Sequence, residues 1–183
     1  MKRKRSKSPV KKKKVKTLNE LEPQSDTYEI YTDGAASGNG KSTSQAGIGV
    51  YFPQNPELNI SERLDPKIPT YAETLSNQTN QTAEVEAIYR ALVEANKLGK
   101  DKVTIYSDSK YAIDSLTKWS LKWIKNNWKK SNGTHVIHEY QFKKILKLSD
   151  KIKVEYVHVR GHKGNQGNEI ADDLATKGAK KSI

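Results

Sequence analysis

Hydrophobic positions along the chain switch between a period of two and a period near 3.6, and the switches predict its elements. Strand-like runs occupy 27–34 (TYEIYTDG), where β-branched and aromatic residues lead up to Asp33, and 46–53 (AGIGVYFP). In the second run Gly47 and Gly49 take one face, while Ile48, Val50 and Phe52 take the other. Residues 58–64 (LNISERL) form a third candidate strand. The polar stretch from Asp65 to Thr79, with Pro66 and Pro69, reads as loop. Residues 80–98 give the clearest helical pattern. With Glu84 as the origin of a wheel at about 100° per residue, Ala87, Ile88, Ala91, Leu92, Ala95 and Leu98 gather around it, and Gly99 supplies a stop. A strand at 102–108 (KVTIYSD) ends on Asp108, and SKYAIDSLTKW opens another helix. A Lys/Trp-rich segment continues to Lys130 and SNG (131–133) turns the chain. A helix at 138–148 follows, then a strand at 151–159, a glycine-punctuated loop (RGHKGNQGN) and a final helix from Glu169. Three strands followed by α, β, α, α, β, α predict an α/β fold. Its mixed sheet has a hairpin portion and a parallel portion, covered by helices.

Three carboxylates stand out from this pattern. Asp33 and Asp108 each end an apolar strand, where α/β sheets border a ligand crevice; each also suits a turn or a helix N-cap. Glu84 sits in the middle of an apolar stripe, which is costly unless the charge is paired or coordinated. As a first-turn residue it is also favoured by the helix dipole. Glu86 falls on the opposite face and reads as a solvent charge. Acids from three separate segments suit a hard divalent cation such as Mg²⁺. His135, His138, His158 and His162 have no zinc-like spacing. In the last helix Ile170, Ala171, Leu174 and Ala175 define the apolar face, so the pattern makes both Asp172 and Asp173 surface charges.

Charge changes the picture at the chain's start. The 183 residues carry a formal charge of +12 from 33 Lys/Arg against 21 Asp/Glu; residues 1–16 hold ten of the basic residues and no acid, leaving 23 against 21, or +2. Residues 1–26 are therefore read as a basic disordered tail and linker, and 27–183 as one folded domain. The tail suits a nuclear-import address or an arm gripping phosphates, and a silent solvated tail is the bland alternative. There is no cysteine, hence no disulfide framework. With no run long enough to span a bilayer, the expectation is a soluble, intracellular monomer without a membrane partner, in the nucleus or else the cytoplasm. Between Asp114 and Glu139 there is no acid, and Lys118, Lys122, Lys125, Lys129 and Lys130 interleave with Trp119, Trp123 and Trp128. That mixture fits a nucleic-acid surface, and equally an amphipathic helix with core tryptophans.

Taken together, YTDGAASGNG, TNQTAEVEAI, YSDS and HVRGHKGNQGNEIADDLA resemble the type 1 ribonuclease H family, over about Tyr28 to Lys180. The resemblance implies the ribonuclease H fold, a five-stranded mixed sheet flanked by helices, and endonucleolytic cleavage of the RNA strand of RNA/DNA hybrids. It implies two Mg²⁺ ions, with Mn²⁺ a substitute, about 4 Å apart, and products with a 5′-phosphate and a 3′-hydroxyl. The family's four metal-binding catalytic acids fall on Asp33, Glu84, Asp108 and Asp172, and its mobile-loop histidine on His162. Amides that read the RNA fall on Asn39, Asn80 and Gln81. A basic protrusion at about 118–135 aligns Trp119, Trp123 and Ser131 with DNA-channel positions. Thr79 matches the family's DNA-phosphate pocket. The pocket's arginine and asparagine in animal-type members are here Asn77 and His138, with His138 expected still to donate to phosphate. The small residues Gly34 to Gly40 are expected to leave room for the nucleic-acid backbone. The hybrid-binding domain that precedes the catalytic domain in many eukaryotic members is not seen before Tyr28, and the basic tail is expected to replace it in part. Two other readings remain: a non-catalytic hybrid- or RNA-binding module, which the full acid set disfavours, and a domain of a retroelement reverse transcriptase.

Overall fold

The computed structural model describes residues 27–38, 41–71, 76–161 and 164–182. The tail expected at 1–26, and the candidates Asn39 and His162, lie outside the described residues. Five strands, β1 (Tyr28–Ser37), β2 (Gln45–Tyr51), β3 (Ile60–Arg63), β4 (Lys102–Ser107) and β5 (Lys153–His158), form one sheet in the order β3-β2-β1-β4-β5. The β1–β2 and β2–β3 pairs are antiparallel, and β1–β4 and β4–β5 are parallel. This is the mixed sheet that the order of strands and helices predicts.

Helix α1 (Asn80–Lys97) starts at Thr79, whose hydroxyl accepts a hydrogen bond from the Thr82 amide at 3.1 Å. Its buried face of Ala83, Ala87, Ile88, Ala91, Leu92 and Ala95 lies on β1 and β2. The predicted helix after Asp108 is broken. A short α2 (Lys110–Asp114) passes through a π-helical turn (Ser115–Trp119) into α3 (Ser120–Lys125). Helix α4 (Glu139–Ser149) packs Phe142 and Ile145 into the core beside α1, and α5 (Gln166–Ala179), capped by Asn165, covers the opposite face of β1–β3.

The small residues around Asp33 have a structural cause in the packing of helices on the sheet. β1 does not stop at Asp33 but runs on to Ser37, with Gly34 paired to Ile48 and Ala36 to Ala46. A Cβ on Gly34 would lie 2.3 Å from the Glu84 backbone nitrogen. On the other face a Cβ on Gly49 would lie 2.0 Å from the Ala171 carbonyl oxygen. Glycine here lets α1 and α5 press against the sheet, and so sets how closely two acid-bearing helices approach β1. The expected space for a nucleic-acid backbone is, at Gly34, filled by α1.

Candidate active site

Parallel pairing places the first two acids side by side. Thr32 pairs with Ser107, the last residue of β4, so Asp33 lies beside the point where the chain leaves β4 at Asp108. Glu84 enters from α1, which Gly34 allows to sit directly over β1. Oxygens of Asp33, Glu84 and Asp108 all fall within 4.8 Å of one another. Asp33 is 6% exposed, and its Oδ1 accepts a 2.7 Å bond from the Gly34 amide. The Ser109 hydroxyl donates to Glu84 Oε2 at 2.5 Å and accepts from the Ala112 amide at 3.3 Å, so one side chain both aims Glu84 and caps α2.

These acids act on one another. Burial pushes Asp33 up to about 8; Asp108 adds to the rise, the Gly34 amide opposes it, and Asp172 and Glu84 add further repulsion. Glu84 is also raised, first by burial, against the pull of Ser109, with Asp108 contributing. Asp172, half-buried on α5, lies outside the three-acid group but near enough for its charge to act on Asp33. An oxygen-only donor set, crowded enough to hold one member protonated near neutrality, has the chemistry of a hard-cation site.

The loop after β5 supports the same place. A Cβ on Gly161 would lie 2.6 Å from Asp108 Oδ2, and His158 Nε2 is 3.2 Å from the Asp108 carbonyl oxygen. His162 follows directly in sequence. Pattern reading passed over Ser109, His158 and Gly161. Only Ser109 left a signal, as a cap-type residue just before a helical run.

The remaining candidates divide. Thr79 caps α1, Asn80 is its first residue, and Gln81 is exposed. On the Lys/Trp segment Lys118, Lys122, Lys125 and Lys129 are exposed, as are Ser131 and Trp119, the latter 38% exposed. Trp123 packs against the core and Trp128 is buried. Two of the tryptophans therefore pack inward, as in an amphipathic helix with core tryptophans, while Trp119 and the lysines stay exposed.

His138 departs from expectation. It is 1% exposed, its Nδ1 lies 2.8 Å from the Tyr111 hydroxyl and its Nε2 lies 3.2 Å from Thr82 Oγ1. Burial pushes it down to about 4. A neutral ring with both nitrogens engaged inside the protein has nothing to offer a phosphate outside it. Asn77 is committed as well, donating to the carbonyls of Pro66 at 2.9 Å and Ile68 at 2.7 Å. Glu86 is a second correction. It is half-buried rather than a plain solvent charge, and burial pushes it up to about 7 against the pull of Lys144 and Arg90.

Comparison with known proteins points the same way. The RNase H family profile matches residues 25–180. The chain is 38% identical over 153 residues to Ribonuclease H1 of Mus musculus, covering 84% of this chain and 50% of that protein. It is 40% identical over 150 residues to Ribonuclease H of Orientia tsutsugamushi, covering 82% of this chain and 80% of that protein. The chain thus spans about half the length of the mammalian relatives it matches. Among solved structures it resembles the foamy viral protease-reverse transcriptase in complex with RNA/DNA hybrid. The TM-score there is 0.67 and the identity 25%, covering 96% of this chain and 22% of that one. It also shares the fold of LC9-RNase H1, a type 1 RNase H with the type 2 active-site motif, at TM-score 0.61 and 24% identity, covering 84% of this chain and 72% of that one. With the family profile spanning the whole sheet and every described helix, and with acids from β1, α1 and the end of β4 gathered at one point, the chain belongs to the RNase H family and is of the type 1 kind.

Proposed function

We propose that this protein is a divalent-metal-dependent endonuclease that hydrolyses the RNA strand of RNA/DNA hybrids. The observation that carries the reading is the convergence of Asp33, Glu84 and Asp108 within 4.8 Å, with Asp172 acting on the same group. Asp33, Glu84, Asp108 and Asp172 would hold the cation: Mg²⁺, two ions by family likeness, with Mn²⁺ able to substitute. Bound there, such a cation supplies charge neutralisation at the scissile phosphate and lowers the pKa of an attacking water. The protein's own part is to prepare the ligands. The Gly34 amide fixes the Asp33 carboxylate, Ser109 fixes Glu84, and Asp33 must give up its proton to become a full ligand. Overall, water adds to phosphorus and the bond from phosphorus to the ribose 3′-oxygen breaks. The products carry a 5′-phosphate and a 3′-hydroxyl.

Substrate contacts follow from exposure and chemistry. Asn80 and Gln81 stand at the start of α1, beside Thr79 and close in sequence to Glu84, where amides can read ribose hydroxyls. With Asn39 they are proposed to contact the RNA strand. Trp119, Ser131 and the exposed lysines are proposed to carry the DNA strand, by stacking and phosphate charge, with Trp123 behind Trp119 as its support. His162, which follows Gly161 in sequence, is proposed by family likeness to assist product release. Residues 1–16 are proposed to add non-specific grip on the hybrid and to serve as a nuclear address, with the protein working as a monomer.

End-labelled hybrid, duplex RNA, duplex DNA and single-stranded RNA, each incubated with the protein and Mg²⁺, test this reading. It predicts cuts confined to the RNA strand of the hybrid. Tight hybrid binding with no cleavage in Mg²⁺ or Mn²⁺ would instead support a binding module on the same fold.

A further inference from the structure

The ring of His138 sits where the acid-bearing elements meet the Lys/Trp protrusion. Its Nδ1 faces the Tyr111 hydroxyl at 2.8 Å, and burial raises that phenol to about 12, with the Glu84 charge adding to the rise. The phenol therefore keeps its proton and shares one hydrogen bond with Nδ1, while Nε2 shares another with Thr82 Oγ1 at 3.2 Å. Thr82 Oγ1 lies 2.8 Å from Thr79 Oγ1, which caps α1. One line of polar contacts thus joins the first turn of α1, just ahead of Glu84, to the first turn of α2, just after Asp108.

The same ring anchors the protrusion. His138 meets Phe142 edge-on, with centroids 6.1 Å apart and planes at 89°. Phe142 lies 5.7 Å from Trp123, and Trp123 lies 5.8 Å from Trp119. Tyr111 closes the circuit at 6.5 Å from Trp119. The exposed tryptophan is therefore joined to the catalytic ends of α1 and α2 through rings and hydrogen bonds that converge on one buried histidine. A phenylalanine would fill the same space and keep the ring contacts, but it would leave the Tyr111 hydroxyl and Thr82 unpaired on that side.

We propose that His138 is a positioning residue. It holds the Trp119/Trp123 protrusion in register with Glu84 and Asp108, so that a duplex gripped by the protrusion meets the acids at a fixed step along its backbone. This rests on the hybrid-cleaving reading above.

The test uses the full chain and a long end-labelled hybrid, measuring kcat, KM and the distribution of cut positions. The variants are His138→Phe, His138→Gln, Tyr111→Phe and Thr82→Val, with folding checked by circular dichroism and Tm. The expectation is that His138→Phe raises KM about 5–10-fold with kcat within about twofold, and spreads the cuts to neighbouring positions. His138→Gln, which keeps a donor and an acceptor, recovers part of the loss. Tyr111→Phe and Thr82→Val move KM and cut pattern in the same direction by less. A folded His138→Phe with wild-type KM and cut pattern overturns the proposal, and so does a loss confined to kcat. Should His138→Phe not fold, the same criteria applied to Tyr111→Phe and Thr82→Val decide. A wild-type chain that leaves the hybrid intact overturns this proposal together with the reading beneath it, whereas normal cleavage with indifferent variants overturns this proposal alone.

Discussion

Asp33 carries the largest electrostatic consequence of any single residue in the site. Its carboxyl is raised from 3.8 to about 8, so the folded chain holds a proton that the unfolded chain has lost across that window. Stability contributed by the protonated form is complete below about 4 and lost as pH rises toward 8. In EDTA at pH 7, Asp33→Asn should therefore stabilise the protein by about 1–3 kcal/mol while abolishing cleavage. Thermal melts of both proteins from pH 5 to 8 check this, and an unchanged or lowered Tm would contradict it. His138 runs the other way. Lowered from 6.5 to about 4, it contributes stability that is complete above 6.5 and lost as pH falls through that window. Denaturant unfolding between pH 4 and 6.5 should be less steep in pH for His138→Phe, by up to about 1.4 kcal/mol per unit. Gln141 offers a third residue-scale test. It is fully buried, and neither side-chain amide atom has a partner among the described residues. Gln141→Leu should then raise stability by about 1 kcal/mol in urea unfolding.

At the scale of elements, close backbone approach governs how the acids meet. Gly34→Ala would put a methyl carbon 2.3 Å from the backbone of α1, where only movement of the helix relieves the clash. The expected cost is about 3 kcal/mol or more in denaturant unfolding, with activity falling because Glu84 moves with its helix. Much of this architecture was legible in the sequence. Strand-like runs marked all five strands, and the wheel around Glu84 marked a carboxylate that does lie in a group of acids. Asp172 was not legible, because the apolar face of α5 reports packing against the sheet, while this residue's influence on Asp33 comes from the flank of the helix. The π-turn at Ser115–Trp119 was hidden for a related reason: its composition is helical and only the hydrogen-bond pattern differs. His138 was misplaced because sequence position gives no sign that Tyr111 and Thr82 close over the ring. The run from Gly34 was assigned to ligand space, since small residues permit either a ligand or a helix to come close.

For the whole molecule, charge divides unevenly between the start of the chain and the rest. Residues 1–16 bring ten positive charges, and the rest of the chain nets only +2. Removing them should weaken hybrid binding and flatten its dependence on salt, leaving the choice of strand unchanged; an unaltered salt slope would leave the tail as an address alone. Trp119→Ala, on an exposed ring, should weaken hybrid binding by about 1–3 kcal/mol with little change in Tm. Both can be read by fluorescence anisotropy across a salt series.

As proposed, Asp33, Glu84 and Asp108 form one metal-dependent centre that cuts RNA paired to DNA. The most direct measurement incubates an end-labelled RNA/DNA hybrid with the wild-type chain and with Asp108→Asn, each in Mg²⁺ and in EDTA. RNA-strand cleavage is expected from the wild type in Mg²⁺ alone, with the hybrid intact in the other three reactions. Cleavage that survives either EDTA or Asp108→Asn would contradict it.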